Sequence, residues 1–503
     1  MINSIIRTIF RSRLKAAASW ATAAEDVQRR ELAAMVRAAR DTEFGRQHNF
    51  SKIASYADFR DAVPEVMSYE VMRPLVMRMI AGEPDVLWRG KVRNFAQSSG
   101  TSDGRSKYIP ITADGFRRCH YRGTYHSVAH YLDNVSSSRL FRGKALILGG
   151  SFANELTLQP GVCVGDLSAN LIDRMNRLAG LLRVPSRKIA LMADWKEKLP
   201  ALAAATAADR HVTNISGVPS WMLEVLKEVL RIKGADCLHD VWPNLEVFFH
   251  GGIAFGPYRE QYQQITNQRR MHYLENYNAS EGFFAVQNDL ADPAMLLLLD
   301  AGTFYEFIPL SDIDSDNPRL LPAWEVEQGR VYALVITNVN GLWRYPIGDT
   351  VRIESVSPLK ITIAGRTRHF INAFGEELMV CNADRAIEAA SRDHNCQVVN
   401  YTAAPVYPDA GHRGRHQWLI EFATPPESLA AFGATLDRYL QAENSDYQAK
   451  RASGLFLDAP EICIAAAGLF DRWLESKGKL GGQHKIPRLS NDRAVLDELL
   501  ASR

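Results

Sequence analysis

Four short stretches carry residue types that chemistry can use. The first is SSGTSDGRSKYIP, residues 98–110, where glycines stand among hydroxyls and a lysine comes after them. A Walker phosphate loop would need GxxxxGK[ST] between a strand and a helix. Gly100, Gly104 and Lys107 give GxxxGxxK, which is the wrong spacing. A nucleophile elbow would need GxSxG, and Gly100-Thr101-Ser102-Asp103-Gly104 matches it. The elbow also demands a helix directly after the serine. The residues beyond it are instead the β-rich KYIPIT, with Pro110 hostile to a helix interior. The remaining reading is a hydroxyl- and glycine-rich loop between two strands, whose plain alternative is an ordinary hairpin turn. Such a loop offers unobstructed backbone N–H groups, Ser/Thr donors and one lysine, the parts that wrap a polyphosphate.

Three later segments add to it. ENYNASEGF (275–283) places Tyr277, Ser280 and Glu281 within five residues. A tyrosine ring stacks on a base, a hydroxyl bonds a phosphate and a carboxylate holds magnesium. RYPIGDTVRI (344–353) puts Asp349 after a glycine at what reads as a strand start, suited to two ribose hydroxyls. GGQHKIPRLS (481–490) places Lys485 in a glycine-flanked segment near the C-terminus, free to swing. Each has a plainer meaning alone: a buried acid caps a helix or joins an ion pair, and a terminal lysine is solvated. The order is what argues: loop, Tyr/Ser/Glu, Asp, an arginine loop at GRTRH, then the late lysine.

The elements that must position these groups are legible in outline. With 503 residues and 46% hydrophobic content, the chain has enough apolar material for more than one domain. KALILGG (144–150), EVFFHGG (246–252) and VYALVITN (331–338) read as strands, and PSWMLEVLKEVLRIK (219–233) as a helix. Strands alternating with helices predict an α/β body with a partly parallel sheet. After about residue 365 the pattern becomes a βαββαβ-like order, the mark of a small α+β domain. The predicted division is therefore 1–365 and 366–503, at the glycine-flanked arginine loop IAGRTRHFINAFGEE. At the N-terminus, Ile2, Ile5, Ile6, Ile9 and Phe10 share a helical face with Arg7, Arg11, Arg13 and Lys15 nearby. The plain reading is an amphipathic helix packed on the body; the alternatives are a membrane-surface helix or a transit segment. Residues 21–40 read as a further helical stretch.

Composition excludes several classes. A formal charge of +2 gives no basic field for nucleic acid. No run of about 18 uncharged apolar residues predicts a membrane span. The six cysteines are scattered without CxxC or zinc-ligand spacing, which points to free thiols in a reducing cytoplasm.

The ordered set resembles the adenylate-forming superfamily of acyl-CoA synthetases, luciferases and adenylation domains. Within it the chain is most similar to the auxin-responsive Gretchen-Hagen-type family of acyl-acid amido synthetases. SSGTSDGRSKYIP, the HGGIAFGPYREQY element (His250 to Tyr262), FYEFIP (304–309), GLWRYPIGD (341–349) and QHKIPR (483–488) carry that resemblance over most of the chain, and TEFGRQHNF also looks like bacterial members.

The resemblance implies a large N-terminal adenylate-forming α/β domain with mixed sheets and a small mobile α+β C-terminal domain. It implies an ATP-dependent reaction in which a carboxylic acid is adenylated, with loss of pyrophosphate, and passed to an amino acid with release of AMP. An acyl-CoA or acyl-carrier ligase, sharing the first half-reaction, is the alternative enzyme; a non-catalytic nucleotide- or acyl-binding protein is the alternative of another class. By the same resemblance Ser98, Ser99, Gly100, Thr101, Ser102 and Lys107 would surround the β- and γ-phosphates. Tyr277 would contact adenine, Ser280 the α-phosphate, Glu281 magnesium, and Asp349, helped by Arg366, the ribose. Gly251 and Gly252 would lie along the nucleotide and the acyl cleft, and Lys485 would reach the α-phosphate or the attacking carboxylate. The acyl pocket is expected in the helical region between 115 and 240. Pro346, Asn278-Ala279 and His484 depart from the family pattern, at positions that bear on amine binding and domain closure. The expected partners are a small carboxylic acid and an amino acid, with ATP and magnesium, in a cytoplasmic monomer without nucleic acid or membrane insertion.

Overall fold

A computed structural model of the protein describes all residues except 1, 99–106, 155, 176–179, 253–254, 314, 316, 367–369, 372, 374–375, 377, 407–413, 445–446, 449–450, 452–456, 478–485, 491 and 503, and the side chains of 2–7, 9, 98, 220, 257, 366 and 370. The chain divides into two compact units. The first comprises residues 1–255, 261–347 and 352–362; the second comprises 256–260, 348–351 and 363–503.

In the first unit a long helix, Ile2–Ala39, opens the chain with a kink at Ala23 (φ −127°, ψ 23°). Of the apolar face, Phe10 is buried with Ala129 and Leu132, and the side chains of Ile2, Ile5, Ile6 and Ile9 lie outside the described residues. Arg13 pairs with Asp300 at 2.9 Å. Gln28 is fully buried, its amide donating to the carbonyls of Leu299 (2.7 Å) and Thr303 (3.0 Å) and accepting from the Tyr305 N–H (2.9 Å). The described part of this helix is thus a packed element, as the plain reading expects. Among the described residues no helix is long and apolar enough to cross a membrane.

Strands β1 (Asn94–Ser98) and β2 (Lys107–Ile111) form an antiparallel hairpin in which Ser98 stands opposite Lys107. A strand, not a helix, comes after the GxSxG match, so the nucleophile elbow is excluded. Then come β3 (Lys144–Ile147), β4 (Cys163–Gly165), β5 (Arg183–Val184), β6 (Val212–Gly217), β7 (Val247–Gly251) and β8 (His272–Asn278). They are succeeded by β9 (Phe283–Gln287), β10 (Met295–Leu297), β11 (Thr303–Pro309), β12 (Leu321–Pro322), β13 (Val331–Asn338), β14 (Tyr345–Val356) and β15 (Leu359–Arg366).

Among the described residues, β4 joins the hairpin, and the other strands make a twelve-stranded sheet in the order β12-β11-β13-β14-β15-β10-β9-β8-β7-β6-β3-β5. The run from β5 to β8 is parallel, the pairings of β9 with β8 and β10, of β10 with β15 and of β11 with β12 and β13 antiparallel. The parallel half results from the helices between its strands, among them Trp195–Ala207 and Pro219–Lys233. The stretch between 115 and 240, expected to be helical, is therefore a helix–strand alternation that supplies part of the main sheet.

The second unit holds the short pair β16 (Phe370–Ile371) and β17 (Leu378–Met379), and a three-stranded sheet of β18 (Gln397–Val406), β19 (Arg415–Thr424) and β20 (Glu461–Ala465). Alternation along β19 builds two cores. Trp418 and Ile420 pack with residues of the helices Val380–Asp393 and Leu429–Glu443, while Leu419 packs with those of Leu469–Ser476 and Ala494–Ala501. The unit is α+β, with helices on both sheet faces.

Candidate functional site

Parallel pairing sends the carboxyl ends of β6, β7 and β8 to one edge of the sheet, where open α/β sheets bind ligands. Two of the segments singled out in the sequence emerge there. At the end of β7, Gly251 lies so near the Asn276 carbonyl oxygen that a Cβ would stand 2.3 Å from it, and Gly252, just beyond, adopts φ +82°. Only glycine fits both demands. After β8 comes a tight turn, in which the N–H groups of Ala279 and Gly282 donate to each other's carbonyl oxygens at 2.8 and 3.2 Å.

That turn presents Ser280 and Glu281. Ser280 is buried, and its Oγ has no hydrogen-bond partner among the described residues. Glu281 is 7% exposed. Its carbonyl oxygen accepts from Asn338 Nδ2 at 2.8 Å and Asn340 Nδ2 at 3.1 Å. On the far side, the Phe283 N–H donates to Cys119 Sγ at 3.1 Å. Burial pushes that thiol up to about 11, so it stays protonated near neutrality. Tyr277, the next-to-last residue of β8, is buried with its ring 5.1 Å from that of Phe284.

The hairpin meets the same region through Tyr69. Its hydroxyl accepts from the Tyr108 N–H at 2.6 Å, and the Lys107 ammonium lies 5.5 Å from the centre of its ring. Burial, above all, pushes the Tyr69 phenol up to about 12, and the Glu281 charge adds to the rise. Ser99, Gly100, Thr101, Ser102 and Lys485 lie outside the described residues, as do the side chains of Ser98 and Arg366; the backbones of those two close β1 and β15.

In the second unit Asp349 is buried, directly after Gly348 at φ +87°. The sequence places Asp349 at a strand start, but β14 begins four residues earlier, at Tyr345. Pro346 does not stop the strand, because proline is tolerated near a strand's first residue. Lys485 lies outside the described residues; beyond it the chain is tied to β18: the Ala403 N–H donates to Arg488 O (2.8 Å), Thr402 Oγ1 to Pro487 O (2.6 Å) and the Ser490 N–H to Ala403 O (3.1 Å). Arg488 pairs with Asp384 and lies over the Tyr401 ring, 5.4 Å from its centre. The Tyr401 hydroxyl donates to the same carboxylate at 2.5 Å.

Two of the motifs contribute one architectural contact. Glu306 of FYEFIP and Arg344 of GLWRYPIGD form a buried bidentate pair, each 1% exposed by side chain, at 2.6 and 3.0 Å. Tyr56 donates to Glu306 at 2.9 Å, and Arg344 Nη1 donates to Val63 O at 2.5 Å. TEFGRQHNF supplies Phe44 and Phe50, whose rings pack on Trp343 at 5.6 and 4.8 Å. In the HGGIAFGPYREQY element (250–262), Tyr262 donates to Pro219 O at 2.7 Å. Sequence reasoning missed Tyr69, Thr112, Asn338, Asn340 and Arg488. Only the N-x-N-G string at 338–341 carried a signal, and it signals a turn.

The chemistry open to the first unit stems from the 279–282 turn. A buried hydroxyl with no partner among the described residues and a buried carboxylate, on one fixed turn at the carboxyl edge of a parallel sheet, suit a phosphate and its cation. No group of three or more His, Cys, Asp or Glu among the described residues could hold a metal by itself. A single carboxylate is what magnesium uses when nucleotide phosphates complete its shell, so the residues fit nucleotide-borne magnesium.

Comparison with known proteins gives the same direction. The GH3 family N-terminal domain matches residues 13–180 and 171–271, its central domain 296–366 and its C-terminal domain 381–494. The chain is 22% identical to indole-3-acetic acid-amido synthetase GH3.3 of Arabidopsis thaliana, over 95% of this chain and 91% of the relative. It is 24% identical to indole-3-acetic acid-amido synthetase GH3.8 of Oryza sativa subsp. indica, over 96% and 91%. In fold it is similar to the AtGH3.15 acyl acid amido synthetase in complex with 2,4-DB (TM-score 0.79, 18% identity, covering 99% of this chain and 96% of that one). It is also similar to 2-hydroxyisobutyryl-CoA ligase in the postadenylation state (TM-score 0.57, 14% identity, 94% and 91%).

Proposed function

The chain belongs to the GH3 family, and on that premise we propose that it is an ATP-dependent acyl acid amido synthetase. A carboxylate oxygen of the acid attacks the α-phosphorus of ATP and pyrophosphate leaves. The nitrogen of an amino acid then attacks the acyl carbon, the acyl–oxygen bond breaks and AMP departs. Neither step uses a protein nucleophile; both depend on positioning and charge neutralisation.

The observation that carries this reading is the fixed turn with the orphaned Ser280 hydroxyl and buried Glu281 at the carboxyl edge of β6–β8. Ser280 donates to the α-phosphate and Glu281 holds magnesium, which, when bound, neutralises phosphate charge. Ser98, Ser99, Gly100, Thr101, Ser102 and Lys107 surround the β- and γ-phosphates, with Gly251 and Gly252 along the nucleotide. Tyr277 contacts adenine, and Asp349 with Arg366 takes the ribose. Lys485 assists adenylation, carried by residues 366–503, which turn as a body against 1–365 between the half-reactions. The enzyme works as a cytoplasmic monomer.

The test is acid-dependent ATP–pyrophosphate exchange with pools of aliphatic, aromatic and indolic acids. Lys485→Ala and Glu281→Gln lose exchange by about a hundredfold or more, the scale of a lost transition-state charge contact. Parent-like exchange in Lys485→Ala removes that lysine from the mechanism. Product with amino acids and none with CoA in the second step distinguishes the amide-forming enzyme from a CoA ligase.

A further inference from the structure

We propose that Asn338 and Asn340 are positioning residues that hold Glu281 for the nucleotide's magnesium. The proposal rests on the reading of Glu281 above and deepens it.

Both side chains are fully buried, and both amide nitrogens donate to one atom, the Glu281 carbonyl oxygen. One donor would satisfy a buried carbonyl. Two donors use both lone pairs and so fix the orientation of the peptide, and with it the direction of the Glu281 Cα–Cβ bond. The two amides are themselves oriented. Asn338 Oδ1 accepts from the Asn340 N–H at 2.9 Å, and Asn340 Oδ1 accepts from the Thr112 N–H at 3.1 Å. Flipping either amide would set two acceptors, or two donors, against each other.

Thr112 directly follows β2, five residues beyond Lys107. Its hydroxyl donates to Val339 O at 2.6 Å and accepts from the Gly115 N–H at 2.8 Å. Gly115 is required for the approach: a Cβ there would stand 1.8 Å from Asn340 Oδ1. Three chain segments therefore meet at one joint: the exit of the loop-bearing hairpin, the acidic turn and the turn after β13. The joint orients Glu281 through its peptide, by way of the carbonyl oxygen that both asparagines bond.

The experiment measures ATP affinity of the purified full chain by titration calorimetry, once in excess EDTA and once in saturating magnesium, with no acid present. The ratio of the two dissociation constants is the magnesium gain. Asn340→Ala and Asn338→Ala each lower that gain by about tenfold to a hundredfold, the usual loss when an outer-shell partner is removed. ATP affinity in EDTA stays at the parent value. A merely structural role would weaken ATP binding in both buffers together and leave the ratio unchanged. Asn338→Ser, which keeps a polar side chain, is the second variant should an alanine variant fail to fold.

A parent-like ratio in the asparagine variants, alongside loss of the gain in Glu281→Gln, overturns the proposal and leaves Glu281 in place. A parent-like ratio in Glu281→Gln, or a parent protein whose ATP affinity ignores magnesium, overturns the reading of Glu281 itself.

Discussion

Replacing Arg344 with methionine removes a cation from a dry site and leaves a carboxylate behind. Glu306 would keep the Tyr56 hydroxyl as a donor at 2.9 Å, in surroundings where its side chain is 1% exposed. Breaking a buried pair from one side costs about 3–5 kcal/mol, because the surviving charge stays desolvated. With a urea slope of about 3 kcal/mol per molar for a unit of this size, the unfolding midpoint falls by about 1–1.7 M. Trp343 and Trp88, with rings 6.1 Å apart beside the pair, make fluorescence the direct probe. The triple variant Arg344→Met/Glu306→Leu/Tyr56→Phe removes charge and donor together. It recovers to within about 2 kcal/mol of the parent, the remainder being the Val63 carbonyl left without its donor. A midpoint shift under about 0.3 M for Arg344→Met, or a triple variant no more stable than the single, would refute the reasoning.

Two further outcomes concern buried polar groups in the first unit. Gln28→Leu strands the carbonyls of Leu299 and Thr303 and the Tyr305 N–H. It lowers stability by at least about 2 kcal/mol in urea unfolding, whereas leucine at an exposed position of the same helix would change little. Burial lowers both His120 and His130 to about 4, with the charge of His126 adding at His130. Depressed folded values mean that the unfolded chain binds the extra protons. Their contribution is complete above pH 6.5 and is lost as pH falls from there toward 4. The melting temperature of a His120→Phe variant therefore falls less steeply over that window than the parent's, and equal slopes would count against the assignment.

The sequence exposed whatever depends on local pattern. Val331–Asn338 and Pro219–Lys233 carry apolar periodicities long enough to mark their own limits, and both form as written. The order of groups along the chain singled out the 279–282 turn, since Tyr277, Ser280 and Glu281 lie within five residues. Interactions that act across sequence distance or through backbone atoms stayed hidden. Asn338 reaches a carbonyl 57 residues away, and no side-chain type marks a carbonyl acceptor. Arg488 reads as one more basic residue after Lys485, yet its partner Asp384 is 104 residues earlier. The start of β14, four residues before Asp349, carries Pro346 as its second residue, where its ladder position makes it harmless.

The buried pair of Glu306 and Arg344 separates two questions that a signature search merges. FYEFIP and GLWRYPIGD mark chains of this kind, but Glu306 and Arg344, one from each string, hold β11 against the turn after β13 and the segment near Val63. On the proposed reading of Glu281, a chain that kept both strings and lost that carboxylate would still be filed with the ligases, folded and silent. Sorting working members from retired ones by sequence should therefore weigh the acidic turn and its two asparagines, which can decay while the badge stays intact.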